Sequence, residues 1–130
     1  MTLQEREARA CAIIDSMAEE LRDISLYLHD NPELGLNEHK AVKVINQFLE
    51  NHNFTSQVGL TDLPELQTAL RGDYNGTAQH KIAFLGEYDA LPELGHGCGH
   101  NLIAMMSLGA AIAFSQSAPE TWGTTFFGCP

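Results

Sequence analysis

Positive charge is scarce in this sequence. Seven lysines and arginines stand against seventeen aspartates and glutamates, a formal net charge of -10 over 130 residues with histidine neutral. So acidic a chain is repelled by phosphate backbones and anionic membrane surfaces, which argues against nucleic acid or such a membrane as partner. Cysteine is sparse too: Cys11, Cys98 and Cys129 are odd in number and far apart, and they make no disulfide framework. No apolar run has the length of a membrane span; the apolar stretch after Asn101 is short and broken by Ser107 and Gly109. The first residues are polar, charged and helix-forming, unlike a signal peptide, and a reducing cytoplasm is the expected compartment. Internal repeats, low-complexity tracts and linkers are absent.

What is present suits one globular domain. Hydrophobic residues make up 44% of the chain and charged residues 18%, and 130 residues suffice for a single core. Thr2 with Glu5 three residues on is a capping-box pattern, so a first helix is expected to run to about Leu28. Its apolar stripe is Ile14, Met17, Ala18, Leu21, Ile24 and Leu28, which Cys11 continues as a buried, inert thiol. Pro32 and Gly35 break the helix, and a second one, capped by Asn37, is expected over residues 38–51. Weak strand signals follow at Phe54 to Val58, with a loop over Leu60 to Pro64. Leu66 to Arg71 and Lys81 to Tyr88 read as a hairpin across the turn-forming Gly72-Asp73-Tyr74-Asn75-Gly76. The apolar Lys81 to Gly86 reads as a strand buried on both faces, Leu102 to Phe114 as a buried helix, and Thr124 to Gly128 as the last strand. The expected fold class is therefore α/β, a mixed sheet flanked by helices.

Between the Lys81 strand and the Leu102 helix lies Gly95-His96-Gly97-Cys98-Gly99-His100-Asn101, preceded by Glu87-Tyr88-Asp89 at the strand's end. A loop leaving the sheet edge is the usual place for a site in an α/β protein. In an extended loop Cys98 and His100, two residues apart, point the same way and can converge on one ion, while Gly97 and Gly99 leave the approach open. A thiolate and an imidazole suit zinc, or manganese, cobalt or nickel in a site mixed with carboxylates. Glu87 or Asp89 can ligate, or accept the second ring N–H of a ligating histidine. Two other readings of the same residues stay open: a non-catalytic metal-binding or interaction domain, and a hydrolase using Cys98 as nucleophile with His96 or His100.

Glu87-Tyr88-Asp89-Ala90-Leu91-Pro92 followed by Gly95-His96-Gly97-Cys98-Gly99-His100-Asn101 resembles the M20 metallopeptidase family. The likeness is to the amidohydrolase branch that cleaves N-acyl amino acids, aminobenzoyl-glutamate and dipeptide-like amides. Leu28-His29-Asp30-Asn31-Pro32-Glu33-Leu34-Gly35 with Glu38, and Thr124 to Pro130, are similar to further segments of that branch. The resemblance implies a two-metal hydrolase of zinc, manganese, cobalt or nickel, with Cys98 and His100 as metal ligands and Asp89 as the supporting catalytic aspartate. Glu87 falls where other branches carry a ligand histidine, and Asn101 where many members have aspartate. His29 and Glu33 would be structural or shape the site's edge. By the same resemblance, residues 1–130 are the N-terminal half of a zinc-peptidase-like catalytic domain, without the two glutamates that follow the last strand or the lid domain. Such a piece is expected to be inactive alone, and longer family members often form homodimers.

Overall fold

The computed structural model describes residues 1–60 and 62–130; Thr61, inside the expected Leu60–Pro64 loop, lies outside the described residues. Helix α1 spans Leu3–Asp30 and α2 His39–Asn51; strands β1 Thr55–Val58, β2 Leu70–Tyr74 and β3 His80–Glu87 follow. Helix α3, His100–Ser117, then leads to β4, Trp122–Cys129. The Thr2–Glu5 capping box is formed, each residue's side chain accepting the other's backbone N–H.

The sheet is mixed, with strand order β1-β2-β4-β3. β4 runs antiparallel to β2 and parallel to β3, with Phe126 opposite both Gly72 and Phe84. The expected hairpin between the second and third strands is thus replaced: β4 sits between them, and β2 pairs with β1 instead. A parallel pair needs a crossover, and α3 supplies it. Gly72, Asp73 and Tyr74, expected in the turn, lie in β2. Gly72 faces Leu49, and Asp73 is held by Arg71 and the Thr125 hydroxyl, so tertiary contacts override turn propensity.

Residues Phe84, Gly86, Phe126 and Gly72 share the sheet face on which Ala104 of α3 and Leu49 of α2 pack. Leu28, Ile45, Leu49, Leu70, Leu108, Ile112 and Phe126 are almost fully buried there. The opposite face is open, so β3 is not buried on both sides: Leu85 is 62% exposed, and Ala83 and Glu87 are exposed beside it. Being at the sheet edge with helices on one face only, β3 alternates in burial despite its apolar composition. On α1, Met17, Ile24, Ser25 and Leu28 are buried, whereas Ile14, Ala18 and Cys11 are exposed; Cys11 is a surface thiol, not a core one. The packed stripe, Ile13, Met17, Leu21, Ile24 and Leu28, runs beside these exposed positions rather than through them. No helix among the described residues is long and apolar enough to cross a membrane.

Candidate metal centre

The segment that leads α1 into α2 reaches the end of β3. Leu34 forms a parallel bridge with Ala90, and the Ala90 N–H donates to the Glu33 carbonyl at 2.7 Å. Asn37 does not cap α2. The Glu33 carboxylate does so from outside the helix, accepting the N–H groups of Lys40 and Ala41 at 2.9 Å. An anion at the positive end of the helix satisfies donors that have no partner within it. Glu33, which the resemblance leaves as structural or at the site's edge, caps α2 here. His29 is exposed, its Nδ1 3.2 Å from Asp30 Oδ1.

Strand alternation sends Tyr88 and its neighbours to opposite sides of the sheet. Tyr88 is fully buried, donates to the Thr68 carbonyl, and packs so closely on Gly128 that an added Cβ there would lie 2.5 Å from its ring. Burial, with Glu38 and Cys129 nearby, holds its phenol protonated far above the ordinary range. On either side, Glu87 and Asp89 reach the same imidazole. His100 Nδ1 is 2.6 Å from Asp89 Oδ1, and Nε2 is 3.1 Å from Glu87 Oε2. A carboxylate only accepts, so Nδ1 directs its proton to Asp89. The two carboxylates together fix the orientation of the ring, with Nε2 turned towards Glu87.

The loop before His100 is not extended. Residues 96–99 turn, the Gly99 N–H bonding the His96 carbonyl at 3.1 Å, and Gly99 caps α3 in the left-handed conformation at φ 77°. Nothing lies within 4 Å of a Cβ built at Gly99, so glycine is needed there for its φ rather than for room. The alternation that was to bring Cys98 and His100 together therefore does not operate. His100 is the first residue of α3, and Cys98 is exposed on the turn. His96 is half-buried; burial and the neighbouring His100 and His29 hold its imidazole below the ordinary value, and its Nδ1 has no hydrogen-bond partner. Asn101 turns away from this cluster, its amide donating to the Ser25 carbonyl and hydroxyl at 3.2 Å. An aspartate could not make those two donations.

The donor types present, one imidazole with a carboxylate on each nitrogen and the exposed Cys98 thiol two residues away in sequence, fit half of a metal site in chemistry. Among the described residues, no three His, Cys, Asp or Glu side chains converge closely enough to hold an ion. Both His100 nitrogens face carboxylates, Asp89 and Glu87. Sequence reasoning missed Thr68 and the burial of Glu38. Neither carries a local signal, since a lone threonine and a glutamate at a helix start read as surface residues.

The chain is similar to the Xaa-Arg dipeptidase of Mus musculus, 37% identical over 94% of this chain and 31% of the relative. It is 31% identical to one of the subunits of the p-aminobenzoyl-glutamate hydrolase of Escherichia coli, over 90% of this chain and 28% of that protein. It spans about a third of the length of the curated relatives it matches. Among solved structures, it superposes with TM-score 0.73 on a Bacillus subtilis protein described as a dinuclear metal-binding peptidase from the M20 family. That match is 24% identical and covers 88% of this chain and 35% of the other. No family model matches the chain.

Proposed function

Since the chain belongs to the M20 metallopeptidase family, in its amidohydrolase branch, we propose that residues 1–130 supply part of the catalytic domain of a metal-dependent amide hydrolase. Its substrates would be N-acyl amino acids, aminobenzoyl-glutamate or dipeptide-like amides. The observation that carries this reading is the 2.6 Å bond from His100 Nδ1 to Asp89 Oδ1. His100 and Cys98 would hold a divalent ion (zinc, manganese, cobalt or nickel), with Glu87 as a further oxygen donor beside Nε2. When bound, such an ion would polarise the amide carbonyl and lower the pKa of a bound water to near neutrality. Asp89 acts through His100, fixing its tautomer and raising its basicity as a ligand. The described residues bring together too few donors for a complete site, and turnover by this chain alone is not expected. The cytoplasm is the proposed compartment, and small amides rather than nucleic acid or membranes are the proposed partners.

The test is site-resolved alkylation of the chain, with and without zinc or manganese. Cys98 should be protected by metal while Cys11, equally open on α1, continues to react. Equal labelling of Cys98 in both conditions would overturn the assignment. Incubation with a panel of N-acyl amino acids and dipeptides should show no turnover; turnover that disappears in Cys98→Ala would refute the claimed incompleteness.

A further inference from the structure

We infer that Glu38 and Thr68 are positioning residues for the Asp89–His100 pair, acting through a buried polar chain that fixes the end of β3. The inference rests on reading Asp89 and His100 as part of a metal site. Glu38 and Thr68 are both fully buried. A carboxylate in an apolar interior is costly unless its oxygens are matched, and these are. One oxygen accepts the Leu36 N–H at 2.9 Å, and the other accepts the Thr68 hydroxyl. Thr68 also uses its backbone, the carbonyl accepting the Tyr88 hydroxyl. A single residue thus ties the α1–α2 segment to the residue immediately before Asp89.

The segment is held against Asp89 itself. Leu36 lies at φ 72°, a strained conformation for a side chain bearing a Cβ, and its N–H is the one that Glu38 captures. Gly35 fits between two carboxylates: a Cβ built there would lie 3.8 Å from Asp89 Oδ2 and 3.9 Å from Glu38 Oε1. Next to it, the Leu34–Ala90 bridge pins the residue following Asp89. Residues 88 and 90 are therefore anchored, one through Thr68 and one through Leu34, and Asp89 is carried between them. The accuracy of its bond to His100 depends on both anchors, and Glu38 bonds Thr68 of the first and the Leu36 N–H, two residues beyond Leu34 of the second. Supporting groups of this kind set the affinity of the ligand they orient.

The test uses the intact chain and its Thr68→Val, Thr68→Ser and Glu38→Gln variants, each checked for folding by its amide NMR spectrum. One readout is the His100 Nδ1 proton resonance, slowed in exchange by Asp89, and the other is zinc affinity by chelator competition. Thr68→Val should lose the resonance and bind zinc about tenfold more weakly, and Thr68→Ser should restore both. Asp89→Asn is the reference for complete loss. A folded Thr68→Val that keeps the wild-type resonance overturns the inference. Should Thr68→Val fail to fold, Glu38→Gln, which keeps the volume and removes one acceptor oxygen, carries the same expectation and the same contrary result. A wild-type chain that takes up no zinc refutes the metal reading instead, while the resonance still decides the positioning role.

Discussion

Two segments meet at His100, and they are built differently. The end of β3 is held from several sides: Tyr88 is buried and bonded, Ala90 is bridged to Leu34, and Gly35 packs behind Asp89. The turn from Gly95 to Gly99 is held mainly by its own backbone, and Cys98 at its tip is exposed. The carboxylate–imidazole half of the candidate site is thus formed by folding itself, whereas the thiol stands exposed on the turn. A rigid half costs little to organise when an ion arrives; an open half must be ordered by the ion.

The contrast can be broken at its strongest point by Glu38→Ala. It strands the buried Thr68 hydroxyl, removes the acceptor of the part-buried Leu36 N–H, and should cost on the order of 3 kcal/mol in urea unfolding. Gly128→Ala attacks the same anchor from β4 by driving a methyl group into the Tyr88 ring, with an expected loss of about 1–3 kcal/mol.

Asp73 supplies an intermediate case on the open sheet face. Burial acts to raise its pKa, but the Arg71 guanidinium and Thr125 hydroxyl outweigh it and hold the carboxyl below the usual carboxylate value. A depressed folded pKa stabilises the fold above the unfolded pKa of about 3.9, and that stability is lost as pH falls through the folded value. Asp73→Asn should therefore cost about 1 kcal/mol at pH 7, with the difference from wild type shrinking in denaturant titrations taken below pH 4. At the loose end, Cys98→Ala should leave the unfolding midpoint within about 0.5 kcal/mol of wild type while abolishing any metal-induced rise in it.

Much of the architecture was legible because local signals and tertiary needs agreed. The Thr2–Glu5 box, the Pro32 break and the span of α2 all fall where they were read. The apolar residues after Asn101 form α3, which extends from His100 to Ser117. Failures came where a distant partner decides. Gly72 and Asp73 are turn formers that β4 recruits into a strand. Asn37 loses the cap to Glu33, six residues from the helix start and invisible to a local rule. Cys11 lies to one side of the packed stripe of Ile13, Met17 and Leu21, at the surface. At the site, residue types and order pointed to Asp89 and His100. The extended-loop argument linking Cys98 to His100 failed because Gly99 takes a left-handed φ and starts a helix. The Glu38–Thr68–Tyr88 chain joins residues 30 and 20 positions apart, and no spacing in the sequence announces it.

The most direct measurement is the absorption spectrum of the chain titrated with cobalt(II). Ligation by the Cys98 thiolate together with the His100 imidazole predicts a sulfur-to-cobalt charge-transfer band that is lost in both Cys98→Ala and His100→Ala. A wild-type spectrum without that band, or a band that survives in Cys98→Ala, would contradict the assignment of these two residues to one metal centre.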